Sequence, residues 1–184
     1  MKKYSLIYAD PPWKQTKGGL RKARPNQGKT LDYQTISIEE IKDILKVFRD
    51  NATDNHILFC WTIDKYLHES EKMLQELGYK LHARMIWDKT NGIAPAFTVR
   101  YSHEYLLYCY YGKFTPVATE MRGKYRTVFT ESATKHSKKP EIAYKIIEDL
   151  YPNAEKIELF ARNEREGWDV FGNEVPNSIE IGEQ

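Results

Sequence analysis

The feature that most constrains the fold of this chain is a short apolar run that ends at two consecutive prolines. Residues 4–9 read Tyr-Ser-Leu-Ile-Tyr-Ala, and Asp10-Pro11-Pro12-Trp13 follows directly. A continuous apolar run is typical of a strand that is buried on both faces of a sheet. Proline cannot donate a hydrogen bond within a central strand, so the strand must stop at Asp10. The sequence therefore predicts a buried strand with an acid at its carboxyl end.

Further apolar runs alternate with segments of helical spacing along the chain. We predict strands at residues 56–61, 79–87, 103–111 and 156–160, and helices at 37–49, 64–77 and 140–150. Ser37 and Glu40 form a capping-box pattern, and Pro140 suits the first turn of a helix. Residues 115–138 are polar and give no clear assignment, apart from a short apolar stretch at Val128. Strands that alternate with helices predict an α/β fold with a mostly parallel sheet.

The length of 184 residues and the absence of repeats predict one domain, at residues 1–176. Within it, residues 14–32 form a basic loop, and the polar tail 177–184 is expected to fray. Cys60 and Cys109 lie in apolar runs, which indicates buried thiols in a reducing compartment. The chain shows neither a signal-peptide core nor a membrane-spanning run. We therefore expect an intracellular, cytoplasmic protein without membrane contact.

The tetrapeptide Asp10-Pro11-Pro12-Trp13 matches the chemical needs of methyl transfer to the amino group of adenine. The nitrogen is a poor nucleophile because its lone pair is delocalised into the ring. The Asp10 carboxylate and the Pro11 carbonyl could hold its two hydrogens, with the Pro11-Pro12 turn kept stiff by its fixed φ angles. Trp13 could stack on a base that has left the duplex. The alternative is that the four residues form only a turn, since turns use Asp and Pro freely.

Other segments give the chain a resemblance to the MT-A family of adenine methyltransferases, from about residue 4 to residue 174. The matching motifs, in family order, are Ile7-Tyr8-Ala9-Asp10-Pro11-Pro12-Trp13, residues 33–41, Leu58-Phe59-Cys60-Trp61-Thr62, Trp87-Asp88-Lys89, His103-Glu104, residues 136–141, Ile157-Glu158-Leu159-Phe160-Ala161-Arg162 and residues 167–174. Together they are far more specific than any single motif.

The resemblance implies a single Rossmann-like, S-adenosylmethionine-dependent methyltransferase domain. Its order is permuted, with the catalytic motif before the cofactor-binding strand, so the ends of the first and last strands should lie side by side. The resemblance to the bacterial and phage branch of the family also favours a prokaryotic or phage source. The residues that it assigns to the cofactor are Asp10, Lys139, Phe160, Ala161, Arg162, Asn173 and Glu174. On their own, Lys139 could be a solvated lysine beside a helix start, and Glu174 a surface acid. No metal is expected: His56 and Cys60 do not complete a zinc site, and buried packing is the favoured interpretation.

The basic loop after the tetrapeptide suits contacts with phosphates. We predict substrate contacts there for Lys14, Arg21, Lys22 and Arg24, although charge that merely keeps a loop soluble is an alternative. Tyr33 matches a family tyrosine near the target base and would form a second wall with Trp13. His103 and Glu104 could support the site, contact substrate or form a polar strand start. Residues 23–30 mimic a phosphate-binding loop but lack the flanking strand and helix that it requires.

The function predicted from the sequence is N(6)-methylation of adenine in DNA, with S-adenosylmethionine as cofactor. RNA is the alternative substrate, and a non-catalytic nucleic-acid-binding subunit of the same fold is an alternative of another class. Such subunits tend to lose the acid of the tetrapeptide, and here Asp10 is intact. An ATP-binding protein is the weakest alternative. Because no separate target-recognition domain is evident, we expect relaxed specificity, a missing specificity subunit or a homodimer.

Overall fold

The structure, a computed structural model, describes residues 2–14, 35–91, 99–134 and 138–178. These ranges contain a seven-stranded sheet and three α-helices. The strands are β1 (Leu6–Ala9), β2 (His56–Thr62), β3 (Lys80–Asp88), β4 (His103–Tyr111), β5 (Val128–Thr130), β6 (Lys156–Leu159) and β7 (Asp169–Phe171). The helices are α1 (Ile38–Asp50), α2 (Leu67–Glu76) and α3 (Glu141–Leu150). In this part of the chain, no helix is long and apolar enough to cross a membrane.

The sheet confirms the predicted α/β class. Its strand order is β5-β3-β4-β2-β1-β6-β7. Only β4 runs against the others, since it pairs antiparallel with both β2 and β3, whereas every other pairing in the sheet is parallel. The carboxyl ends of six strands therefore meet at one edge of the sheet.

The strand order reverses at β1. Ala9 pairs with Cys60 of β2 on one side and with Leu159 of β6 on the other. The chain leaves β1 towards β2 and returns much later to β6, so the connections diverge on the two sides of this position. In open α/β sheets such a switch point opens a crevice outside the carboxyl ends of the strands. The predicted adjacency of the first strand and the strand at residues 156–160 is confirmed.

The helices cover two different faces of the sheet. On what we call the α1/α2 face, Ile7 packs in one core with Leu45 of α1 and Leu74 of α2. On the opposite side, which we call the α3 face, Tyr8 packs in a second core with Ile146 of α3. Because successive side chains of a strand point to opposite faces, each buried strand contributes to both cores.

The predicted helices form, with small differences at their starts. Ser37 caps α1 with the full capping box, because its side chain accepts from the Glu40 N–H and the Glu40 carboxylate accepts from the Ser37 N–H. The second predicted helix begins as a 3₁₀ turn at Asp64–Tyr66 and becomes α-helical at Leu67. Pro140 is the N-cap of α3 and not its first helical residue.

The end of the chain differs from the prediction. Residues 169–171 form the edge strand β7, which the sequence analysis did not assign. Asn177 and Ser178, the first residues of the tail predicted to fray, are instead held: the Ser178 N–H donates to the Val170 carbonyl at 2.9 Å, and Asn177 Oδ1 accepts from the Gly172 N–H at 2.8 Å. The rest of that tail lies outside the described residues. An edge strand leaves backbone groups unpaired, and these residues satisfy them.

The polar groups inside the sheet have structural partners. Cys60 and Cys109 are buried free thiols, as predicted, and burial raises the pKa of Cys109 to about 12. His56 is fully buried, with Nδ1 at 2.7 Å from the Thr53 carbonyl and Nε2 at 2.9 Å from the Tyr79 hydroxyl. Its predicted packing role is confirmed.

Candidate active site

Asp10 lies at the switch point, immediately after β1. Its backbone N–H donates to the carbonyl of Leu159 at 3.3 Å, which fixes it beside the end of β6. Its side chain is 17% exposed and lies 2.8 Å from Nζ of Lys139. Burial raises the pKa of the Asp10 carboxyl, and the charge of Lys139 opposes that rise. The predicted acid is therefore placed at a crevice and held by a cation.

Lys139 belongs to a chain of four charges on the α3 face of this edge. Its ammonium is 3.1 Å from Oε2 of Glu104, and Glu104 also pairs with Lys89. Burial alone would lower the pKa of Lys139, but the carboxylates of Asp10 and Glu104 outweigh it, and the net shift is upward. For Glu104, burial is likewise the largest influence, yet the two lysines lower its pKa.

This network is balanced in charge and largely shielded from water. The Lys139 side chain is only 11% exposed and lies over the ring of Trp61, 5.3 Å from its centroid. Lys139 is therefore not the solvated lysine that was one alternative for it. Removing one member of such a network leaves an uncompensated charge, which is more costly than the pairing itself is favourable. The arrangement holds the groups around Asp10 in position.

The turn that follows Asp10 modifies the prediction for Pro11. The Pro11 carbonyl already accepts a hydrogen bond from the Trp13 N–H at 2.9 Å. A carbonyl oxygen has two lone pairs, so one acceptor position remains. The Pro12 carbonyl accepts from the Ile36 N–H at 3.4 Å, which ties the turn to the residue before the α1 cap.

Trp13 occupies a different place from the one expected for a base-stacking wall. Its side chain is only 5% exposed and packs in the core on the α1/α2 face. Its Nε1–H donates to the Trp61 carbonyl at 3.0 Å, and its ring stacks on Tyr66 with centroids 5.3 Å apart. The structure thus corrects the expectation of an open face: the tight turn sends Asp10 and Trp13 to opposite faces of the sheet, and one face of the indole is already covered.

The end of β6 forms the other side of the crevice. Phe160 has a φ angle of 62°, which is unusual for a bulky residue and is often found at functional sites. The next residue is held firmly, since the Ala161 N–H donates to the Phe171 carbonyl at 3.1 Å. A Cβ on Gly172 would lie 2.2 Å from the Ala161 carbonyl oxygen, so only glycine fits there. The β6–β7 pairing therefore holds the strained turn in place.

A cavity of about 650 Å³ opens between these two strand ends. This volume lies within the usual range of small-molecule sites. Its lining residues are Asp10, Thr134, Lys138, Lys139, Glu141, Tyr144, Glu158, Phe160, Arg162, Asn163, Glu164, Arg165 and Glu174.

The cavity brings together five of the seven residues assigned to the cofactor by resemblance, namely Asp10, Lys139, Phe160, Arg162 and Glu174. The Arg162 Nε is 3.7 Å from the Glu174 carboxylate. The other two do not line it: Ala161 is buried behind the wall, and Asn173 is exposed beside it.

Glu158 lines the cavity, but the sequence analysis named it only as part of the motif at residues 157–162 and gave it no role. Its side chain is 8% exposed and accepts a hydrogen bond from the Tyr144 hydroxyl at 3.0 Å. Burial raises its pKa to about 7. The signal was present, because an acid between Ile157 and Leu159 in a buried strand needs a reason to be there.

The predicted substrate residues have mixed outcomes. Lys14 is exposed, and its carbonyl accepts from the Tyr66 hydroxyl. His103 is half-buried, and its Nε2 is the one buried side-chain nitrogen or oxygen atom of the described residues without a hydrogen-bond partner. Its ring packs edge-on against Tyr105. The remaining four predicted contacts, Arg21, Lys22, Arg24 and Tyr33, lie outside the described residues.

Comparison with known proteins identifies the family of this chain. The model of the MT-A70 family matches residues 4–174. The chain belongs to the MT-A70 family. That match confirms the resemblance stated from the motifs, and it covers both strand ends that form the crevice.

Individual members of the family show two patterns of coverage. The type II methyltransferase M.MunI of Mycoplasma sp is 30% identical over 200 residues, which span 100% of this chain and 83% of that protein. The N(6)-adenosine-methyltransferase catalytic subunit METTL3 of Homo sapiens is 26% identical over 181 residues. That match covers 94% of this chain but only 28% of METTL3. The match to the N(6)-adenosine-methyltransferase MT-A70-like protein of Drosophila melanogaster likewise covers 94% of this chain and 27% of the relative. This chain thus spans about a quarter of the length of the N(6)-adenosine enzymes.

Proposed function

We propose that this member of the MT-A70 family transfers a methyl group from S-adenosylmethionine to the N(6) amino group of adenine in DNA. The observation that carries the proposal is the placement of Asp10. Its carboxylate, 2.8 Å from the Lys139 ammonium, lines a cavity of about 650 Å³ at the switch point of the sheet.

The donor set of the cavity fits the proposed cofactor. Lys138 and Lys139 supply positive charge for a carboxylate, and Glu174 suits ribose hydroxyls. Phe160 offers an apolar ring to a base, while the carboxylates of Asp10 and Glu158 favour a cation in the cavity. When bound, S-adenosylmethionine supplies a sulfonium methyl group whose leaving group is already good.

Asp10 would act as an acceptor for one hydrogen of the adenine amino group. Holding that hydrogen favours a tetrahedral nitrogen with its lone pair available for attack. Lys139 opposes the protonation that burial would otherwise favour, and so it preserves the acceptor. The free lone pair of the Pro11 carbonyl is available for the second hydrogen. Positioning of this kind contributes about 7–11 kcal/mol to lowering a barrier.

DNA is the proposed substrate because the type II methyltransferase M.MunI is 30% identical over the whole of this chain, whereas the N(6)-adenosine enzyme METTL3 is 26% identical over 94% of it. RNA is therefore an outcome of the test and not a second proposal.

The test measures transfer of radiolabelled methyl groups to matched oligonucleotides. DNA and RNA strands of one sequence are compared with versions in which every adenine is replaced. We expect label only in adenine-containing strands, with DNA the better acceptor, and none with Asp10→Ala. Asp43→Asn, at an exposed position of α1, is the matched control and should behave as the wild type.

Three outcomes would contradict the proposal. Faster methyl transfer to RNA than to DNA would show that RNA is the substrate. Binding of S-adenosylmethionine without transfer to either nucleic acid would favour the non-catalytic subunit. Binding of ATP in its place would remove the methyltransferase assignment altogether.

A further inference from the structure

A second cavity, of about 300 Å³, lies at the other end of α3. It shares no lining residue with the cavity around Asp10. Glu141 and Tyr144 at the start of α3 line the first cavity, whereas Leu150 at its end lines the second. At a rise of about 1.5 Å per residue, the helix separates the two by roughly 14 Å. The second cavity is therefore a separate feature of the fold.

The walls of this second cavity are aromatic. The rings of His82 and Phe114 are stacked with centroids 4.5 Å apart, and Tyr108 packs edge-on against His82 at 4.8 Å. The β3–β4 register shifts between Leu81 and Ala83. Such a bulge re-aims side chains, which lets His82 and its neighbour Ala83 line the same cavity. Regular alternation would point His82 and Ala83 to opposite faces of the sheet. Because of the bulge, the aromatic ring of His82 stays in the wall of the cavity.

The mouth of the cavity is cationic. Arg122 and Arg126 line it, and Lys124 lies between them in the sequence; all three are exposed. None of the three forms an ion pair with another residue of the described ranges. The nearby Asp149 is compensated already, since it pairs with Lys145 at 2.8 Å and accepts from the Tyr125 hydroxyl. Lys124 helps to lower the pKa of the Asp149 carboxyl, so an anion at the mouth would meet mainly the charges of Arg122 and Arg126.

We propose that the second cavity binds a nucleotide, with its base against the His82–Phe114 wall and its phosphate on Arg122 and Arg126. Stacking on aromatic side chains and contacts with cations are the usual means of binding a nucleotide without reading its sequence. The ligand is either a nucleotide of the substrate strand or a free nucleotide. For the former, which rests on the proposed function, the separation of roughly 14 Å corresponds to about four nucleotides at ~3.4 Å each.

The direct test uses methionine methyl groups as reporters. Met85 and Met121 line the cavity, whereas Met73 lies in the core on the α1/α2 face and serves as an internal control. The protein labelled with ¹³C at its methionine methyl groups is titrated with thymidine monophosphate and, separately, with a thymidine-only oligonucleotide. We expect Met85 and Met121 signals to shift and the Met73 signal to stay. If neither cavity signal moves with either probe, the proposal is overturned.

The two probes also identify the source. If the mononucleotide binds as tightly as the oligonucleotide, the ligand is a free nucleotide. If the oligonucleotide binds much more tightly, the ligand is the substrate strand. Thymidine cannot accept a methyl group at an adenine nitrogen. Binding of these probes is therefore independent of methyl transfer, and failure of the proposed function would not be mistaken for failure of this site.

Variants separate the site from general electrostatic attraction. Arg122→Gln with Arg126→Gln should weaken oligonucleotide binding about tenfold or more, as expected for lost charge-assisted hydrogen bonds. Lys46→Gln with Lys72→Gln, both exposed helix positions, removes the same charge elsewhere. Ala83→Phe fills the cavity and should abolish the Met85 and Met121 shifts, with circular dichroism to verify the fold. Equal weakening by both charge pairs, or unchanged shifts in Ala83→Phe, would overturn the proposal.

Discussion

Asp10 and Trp13 are three residues apart in one motif, yet they belong to opposite faces of the sheet. Asp10 lies on the α3 face, in a cluster of charges with Lys139 and Glu104 at the mouth of a cavity. Trp13 lies on the α1/α2 face, stacked on Tyr66 and almost without exposure. The motif thus contributes chemistry to one face and packing to the other.

This division changes how the motif is understood. The double proline makes a turn tight enough to reverse the direction of the side chains. The indole of Trp13 then anchors that turn through its hydrogen bond to the Trp61 carbonyl. The ring of Trp61 in turn lies against the Lys139 ammonium. The packing residue therefore helps to position the charged one, although the two are on different faces.

The largest effect is expected from Trp13→Ala. Removing a buried indole should lower the free energy of unfolding by about 3–5 kcal/mol, measured by urea denaturation. Trp13→Phe, which keeps a ring against Tyr66 but loses the hydrogen bond, should cost less. If Trp13→Ala left stability unchanged and only raised the KM for DNA, Trp13 would be a base-stacking residue and the comparison would fail.

Asp10→Asn tests the other half of the comparison. We expect methyl transfer to fall by about two to three orders of magnitude, the effect of losing one preorganised transition-state contact. The free energy of unfolding should fall as well, because the change removes one negative charge from the network and leaves Glu104 as its only carboxylate beside Lys139 and Lys89. Single-turnover rates and urea denaturation on the same preparations give both values. A variant that is fully active would show that Asp10 serves the fold alone.

Glu158 sharpens the comparison through pH. Burial raises its folded pKa from 4.5 to about 7, so the folded state retains a proton that the unfolded state releases. The free energy of unfolding should therefore fall as pH rises from about 4.5 to 7, by up to about 3 kcal/mol. Glu158→Gln should remove this slope and be the more stable protein at pH 8, but not at pH 4. Parallel urea curves for the two proteins at every pH would contradict the assignment.

The smallest effect is expected at the cap of α1. Ser37 follows Ile36, which forms a bridge with Trp13, so the cap fixes the helix that covers this side of the motif. Ser37→Ala should lower the free energy of unfolding by about 1 kcal/mol and leave the single-turnover rate unchanged. Ser37→Asp, which preserves a capping acceptor, is the control and should recover most of the loss. A changed rate would show that the α1/α2 face contributes to chemistry after all.

The sequence determined the elements and their order. Apolar runs, a capping box and the double proline depend on local chemistry, so the strands β1, β2, β3, β4 and β6 and the three helices could be predicted with small errors at their ends. The acid after β1 could be identified from its motif, whereas its neighbour strand was implied by the family resemblance, in agreement with the rule that α/β sheets place ligands at a switch point. The edge strand β7 escaped prediction because three residues carry too little periodicity, and its pairing depends on a distant partner, β6.

Only the tertiary structure decided which side chains meet. The Asp10–Lys139–Glu104 network joins three parts of the chain more than thirty residues apart from one another, and no local pattern encodes such a contact. The same is true of the burial of Trp13 and of the cavity behind the β3 bulge. Local sequence fixes backbone preferences, whereas burial and charge pairing arise when distant segments share one interior. Asp10 could therefore be identified from its motif, but the lysine whose charge opposes the rise of its pKa is placed beside it only by the fold.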